Sequence, residues 1–248
     1  MTEIGYYSIL ISSFLSVYCC LALILGIRNR RAEVIASAEN AAIMVFVFLT
    51  LSAAAMVYAL VTRNFQIEYV ARYTSRSLSL LYTLTAFYAG QEGSLLFWGW
   101  ILSIFTAIVI LQNKNKNREL MPYVLLVLSA VIFFFTFLMI AATNPFKTSS
   151  YIPPDGHGLN PLLQNPGMMF HPPALLTGYV GFTVPFAFAL AALITGKLGS
   201  TWIKTTRKWT LTAWAFLTAG NLLGMEWAYV ELGWGGYWAW DPVENASF

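Results

Sequence analysis

Trp227, Trp234, Trp238 and Trp240 fall within fourteen residues near the end of the chain, with Tyr229 and Tyr237 among them. Gly233, Gly235 and Gly236 are interleaved with these rings. Glycine lets a backbone approach a ligand closely and adopt dihedrals closed to other residues. Flat aromatic walls beside bare backbone suit a planar, largely apolar molecule. An aromatic belt at the bilayer surface is the competing reading, and it accounts well for Trp98, Trp202 and Trp209. A second element carries His171, followed directly by Pro172 and Pro173. Prolines restrict the local backbone and suit the start of a helix. An imidazole held there is either a polar anchor or, beside an aromatic platform, an axial ligand for haem iron. The other histidine, His157, stands between glycines and reads as a solvated loop residue.

Other chemistries lack their residues. Cys19 and Cys20 are adjacent within an apolar run, where a bond between them would be strained, and they read as small buried hydrophobes. There is no Cys-x-x-Cys-His for covalent haem attachment, no ligand set for zinc and no Walker-type loop. Glu92, Glu226 and Glu231 lie where they can hydrogen-bond loops or a polar ligand group. Arg63, Arg72, Arg76 and Lys147 are the cations available to carboxylates such as haem propionates. Asp241, Pro242 and Glu244 have the spacing of a capping box that opens a helix.

These groups need a scaffold, and composition says which. Of 248 residues, 58% are hydrophobic and only 10% charged, against roughly 25% charged in soluble domains. That excludes an ordinary soluble enzyme, a disordered chain and a disulfide framework. The net charge of +3 points to no nucleic-acid partner. The expected fold is all-α: a polytopic helix bundle integral to the lipid bilayer, with about six transmembrane helices. Six apolar runs are placed near Tyr6–Gly26, Ala42–Thr62, Ser94–Leu111, Met121–Ala142, Ala174–Thr195 and Trp209–Tyr229. Leu78–Ala89 reads as an interfacial helix, a re-entrant segment or the start of a long third span. Pro185 should kink the fifth run.

Loop charge sets an expected orientation. The loops after runs one, three and five hold Arg28, Arg30, Arg31, Lys114, Lys116, Arg118, Lys197, Lys204, Arg207 and Lys208. The other side holds Arg63, Arg72, Arg76 and Lys147. The richer side is expected in the cytoplasm. Both termini, the loop 143–171 ending in His-Pro-Pro and the tryptophan-rich segment 227–245 are then periplasmic, at a bacterial inner membrane. Residues 1–248 read as one bundle. A helix opening at Asp241 just before the sequence stops predicts the N-terminal part of a longer protein, or one piece of a split one.

The stretch Trp234-Gly-Gly-Tyr-Trp-Ala-Trp-Asp-Pro-Val-Glu-Asn resembles the WWD signature of haem-handling proteins in cytochrome c biogenesis. Gly90-Gln-Glu-Gly-Ser-Leu-Leu-Phe-Trp, Asn144-Pro-Phe, Leu159-Asn-Pro-Leu-Leu-Gln-Asn-Pro-Gly and His171-Pro-Pro are similar to the CcmF/NrfE branch of that superfamily. The resemblance runs from about Tyr82 onward. It implies a component of a cytochrome c haem lyase that takes haem b as substrate from a periplasmic chaperone of the CcmE type. It implies partners of the CcmH type and an apocytochrome c whose thiols receive the haem vinyl groups. By the same resemblance Trp234, Trp238, Trp240 and Asp241 belong to the haem-binding segment, and His171 matches the first of two periplasmic axial histidines. With Trp227, Gly235, Gly236 and Tyr237 from the aromatic cluster, these form the expected site. The family's second periplasmic histidine and its transmembrane haem ligands lie beyond the tryptophan motif and are not in this sequence. A haem transporter and a non-catalytic assembly scaffold are the alternatives. The near absence of ionisable residues inside the predicted spans weighs against a charged conduit.

Overall fold

In the computed structural model, which describes residues 1–233 and 235–247, the described elements are helices joined by loops. The described helices are α1 (Thr2–Arg28), α2 (Ala32–Val61), α3 (Glu68–Tyr73), α4 (Leu80–Thr85), α5 (Gln91–Gln112), α6 (Met121–Ala141), α7 (Pro166–Thr195), α8 (Thr201–Glu231) and α9 (Pro242–Ser247). Five of them, α1, α2, α5, α6 and α7, are long and apolar enough to cross a membrane. The sixth apolar run forms most of α8, which is 31 residues long. Thr, Asn221 and Glu226 dilute its hydropathy below that of the other five. Several helices begin earlier than their apolar runs. Hydropathy marks only the stretch that sits among lipid tails, while backbone hydrogen bonding carries a helix on into the interface.

Small residues line several of the helix contacts, those of α1, α2 and α7 above all. α1 packs on α2 and α6, α2 on α5, α7 on α6 and α5, and α8 mainly on α7. Inside lipid there is no hydrophobic gain from helix contact, so close backbone approach and dispersion must supply the attraction. α1 buries Ser8, Ser12, Ser13 and Ser16. Ser12 and Ser16 donate their hydroxyls to carbonyls one turn back, which satisfies both groups without a partner from another helix. The α7–α8 interface is closer still. A Cβ on Gly178 would lie 2.6 Å from the Leu217 nitrogen, and one on Gly220 2.6 Å from the Leu175 nitrogen.

Pairing between loops defines two ends of the bundle. At one end Arg118 pairs with Glu39 at 2.7 Å, Lys197 pairs with Glu119, and the Trp209 indole donates to Gln112. All ten basic residues of the richer set belong to the loops and helix ends here. At the other end Lys147 meets Glu68 at 3.1 Å, and Ile67 bridges Thr148. There Arg76 donates its N–H to Asp155 and its guanidinium to the Pro154 carbonyl. Leu78–Ala89 lies at this second end. It forms α4 and a 3₁₀ turn, Ala86–Tyr88, separated from α5 by extended backbone at Gly90. It is therefore not the start of the third span. Its exposed Leu80, Leu81 and Leu84 give it the character of an interfacial element.

Candidate functional site

The loop 143–171 ends sooner than its sequence indicates. α7 starts at Pro166, with the Asn165 side chain accepting from the Gly167 N–H at 2.6 Å. His171 is thus inside the helix, in its second turn, and not at its mouth. The helix passes through Pro172, Pro173 and Pro185. A proline in a helix interior leaves the carbonyl four residues back without its N–H partner. For Pro173 that carbonyl belongs to Met169. The Tyr88 hydroxyl donates to it at 2.7 Å, from the turn ahead of α5. Burial pushes the Tyr88 pKa up to about 12, so the hydroxyl keeps its proton at neutral pH. The prolines looked like helix openers because a partner 81 residues distant cannot be read locally.

His171 is held on three sides. Its Nδ1 lies 2.7 Å from the Gly220 carbonyl. A carbonyl only accepts, so Nδ1 carries the proton and the neutral ring keeps its lone pair on Nε2. Histidines that ligate a metal are commonly held this way, the other ring nitrogen donating its proton to a carbonyl. The ring lies against Gly224, where a Cβ would come within 2.5 Å of Cε1. Trp227 stacks near it, with ring centroids 6.2 Å apart and planes 20° apart. The Trp227 indole donates to the Leu162 carbonyl at 3.0 Å, and Glu231 accepts from Asn165 at 2.6 Å. Two bonds therefore tie the end of α8 to the loop before α7.

The tryptophan-rich segment folds back over this pair of helices. Gly233 and Gly235 take left-handed backbone, φ +68° and +73°. Trp240 does so as well, at φ +59°, an uncommon state for a residue with a Cβ. Glu244 holds that turn: its carboxylate accepts the N–H groups of Ala239 at 2.6 Å and Trp240 at 2.7 Å. Asp241 accepts the Glu244 N–H at 2.7 Å and so caps α9, while the Glu244 carboxylate reaches back past Asp241 to Ala239 and Trp240 instead of closing a reciprocal box. α9 is fastened to α7 and α8 by Tyr179, which donates to the Val243 carbonyl at 2.9 Å, and by Asn221 with Ser247. Tyr237 stacks on Tyr229 at 4.5 Å. Trp238 and Trp240 meet edge to face and do not form one flat wall. Trp234 lies outside the described residues.

Two clefts flank Trp238. One, of about 200 Å³, brings His171 and Trp227 together with Tyr237, Trp238 and Asp241. The other, of about 720 Å³ and mostly apolar, lies among Tyr179, Phe182, Trp214, Leu222, Trp238 and Trp240. Drug-sized ligands occupy pockets of about 300–1,000 Å³. The larger cleft reaches that size without His171, and the smaller holds His171 without reaching it. Gly233, Gly235 and Gly236 have open space where a side chain would stand. The structure thus groups the histidine with part of the aromatic cluster, and Trp238 stands between that group and the larger cleft.

Other singled-out residues have structural partners. Gly90 and Gly93 of the Gly-Gln-Glu-Gly element lie against the rings of Tyr73 and Tyr69, with no room for a Cβ. The buried Tyr69 hydroxyl donates to the Ala86 carbonyl and accepts from the Gly90 N–H. Burial raises its pKa well above the usual tyrosine range. Glu92 pairs with Arg72 at 3.1 Å, and Arg63 donates to the carbonyls of Leu60 and Leu78. The cations considered for carboxylate ligands therefore already brace the loop layer. His157, exposed, donates its backbone N–H to the Ala71 carbonyl.

Residues 88–248 match the model of the cytochrome c assembly protein family. The chain belongs to this family, in its CcmF/NrfE branch. The cytochrome c-type biogenesis protein CcmF of Haemophilus influenzae is 41% identical over all of this chain and 38% of its own length. NrfE of the same organism is 36% identical, over 100% of this chain and 39% of its own. A solved structure titled cytochrome c heme lyase CcmF superposes with a TM-score of 0.85 at 33% identity, covering 100% of this chain and 39% of that one. The chain thus spans about two fifths of the length of these relatives. Membership of this bacterial family, with the membrane-spanning helices, makes it a multi-pass inner-membrane protein of cytochrome c biogenesis.

Proposed function

We propose that this chain contributes a haem-presenting face to a cytochrome c haem lyase. Haem is its substrate. Nε2 of His171 offers a ligand to the iron, and the segment from Trp227 to Asp241 supplies the aromatic surround. The single observation that carries this reading is the hydrogen bond from His171 Nδ1 to the Gly220 carbonyl. It fixes the tautomer that leaves Nε2 basic, beside Trp227 and at a cleft shared with Trp238. Thioether formation adds each thiol S–H across a haem vinyl group, a redox-neutral step in which the reacting groups come from the apocytochrome and the haem. The protein's part is positioning.

The small volume beside His171 requires the tryptophan segment to lift before a macrocycle can enter. The latch formed by Tyr179, Asn221 and Ser247 is where that motion would occur. The cation-rich end of the bundle belongs in the cytoplasm by the positive-inside rule, which puts His171 and the tryptophan segment on the periplasmic face. A periplasmic haem chaperone of the CcmE type, CcmH-type proteins and apocytochrome c are the partners for that face. The test is the absorption spectrum of the detergent-purified full-length protein, co-expressed with its haem-delivery partners, beside its His171→Ala variant. A Soret band that shifts or weakens in the variant is expected. A haem spectrum indifferent to the substitution removes His171 from the iron, and absence of haem from inserted protein removes the reading.

A further inference from the structure

Two consecutive prolines follow His171, so its helical turn lacks the backbone N–H groups that would bind the carbonyls of Met168 and Met169. A turn so depleted is free to open unless something outside the helix replaces the bonds. Tyr88 does this for Met169, two residues before the histidine on the same turn. Its own position is fixed, because the Ser94 hydroxyl donates to the Tyr88 carbonyl at 2.8 Å and its ring packs edge-on against Phe97. We propose that Tyr88 is a positioning residue for His171, its hydroxyl closing the proline-broken turn so that the imidazole Nδ1 stays on the Gly220 carbonyl and the ring stays at the cleft with its lone pair on Nε2. The α4–α5 connection thereby acquires a part in the site that no contact of its own with the cleft reveals. The proposal rests on the haem reading for its purpose, but its geometry is testable without haem.

The experiment measures acylation of histidine by diethyl pyrocarbonate in the full, membrane-inserted chain without haem, read by mass spectrometry. His157, exposed in its loop, is the internal reference. In Tyr88→Phe the ratio of His171 to His157 modification is expected to rise by about fivefold, the effect of losing one hydrogen bond on a local opening equilibrium. Pro173→Ala returns an N–H to the Met169 carbonyl. In that background Tyr88→Phe is expected to change the ratio by less than about half as much, a non-additivity that a general loss of packing would not show. Trp100→Phe, which removes the indole bond to Thr50 elsewhere in the bundle, should leave the ratio unchanged. An unchanged ratio in Tyr88→Phe, or an equal rise with and without Pro173, overturns the assignment. Should Tyr88→Phe fail to insert, the double variant with Pro173→Ala is expected to be recovered, and loss of both also overturns it. Haem binding is read separately in His171→Ala, so failure of either idea is distinguishable from failure of the other.

Discussion

Glycines separate into two kinds once their surroundings are known. Gly90, Gly93, Gly178, Gly220 and Gly224 are pressed against protein, whereas Gly233, Gly235 and Gly236 face open space. The first kind is structural, and Gly224 also accommodates the His171 ring. Gly224→Ala would put a Cβ where the imidazole lies. It is expected to reduce haem retention, measured by pyridine haemochrome, more than it lowers the melting temperature in detergent. Gly178→Ala, at the same interface but away from the histidine, should do the reverse, costing about 1–3 kcal/mol by overpacking. Tyr69 gives a third case. Tyr69→Phe leaves the Gly90 N–H without its buried acceptor and is expected to destabilise by about 1–3 kcal/mol in thermal unfolding. The Gly-Gln-Glu-Gly element was legible as a motif, but its role as a seat for two tyrosines was not. Those tyrosines come from α3, about twenty residues earlier, and their contact is not periodic with anything in the sequence.

Elements were legible to the extent that they are apolar. α1, α5 and α6 lie within about four residues of their runs at each end, and α2 ends with its run but starts ten residues earlier, because twenty lipid-facing or buried residues leave the backbone no option but a helix while the interface lets that helix continue. The prolines of α7 read locally as a helix start, whereas the helix begins at Pro166 and the Tyr88 hydroxyl supplies the bond that Pro173 removes from the Met169 carbonyl. The loop layer at the same end is held by charge as well as by packing. Asp155 accepts the backbone N–H groups of Arg76 and Gly156, at 2.8 and 2.7 Å, and these hold its carboxyl below the usual range. A depressed pKa means this contribution is complete above the ordinary aspartate value of about 4 and is lost as pH falls through the folded value. Residues 75–76 and 155–157 are therefore expected to exchange amide hydrogens faster relative to the bundle at acid pH. Asp155→Asn should remove that pH dependence, and an unchanged exchange profile would show that the carboxylate does not hold the loops.

At the scale of the whole molecule, charge asymmetry and the site lie at opposite ends. In a background lacking Cys19 and Cys20, Ser149→Cys is expected to react with a membrane-impermeant maleimide added from the periplasmic side. Asn115→Cys should react only after lysis, and reversal of the two would invert the proposed orientation. The sequence by itself determined that this is an all-α membrane bundle, because burying backbone in lipid permits little else and because charge is scarce except between runs. It also determined the helix cap at Asp241, whose carboxylate accepts the Glu244 N–H within one turn. Tertiary structure alone decided where His171 sits in α7, which nitrogen stays basic, and that Trp238 divides the cavity beside it. Each of those facts depends on a carbonyl, a glycine face or a ring brought from a distant helix, and the spacing of residues along a chain carries no record of such approaches.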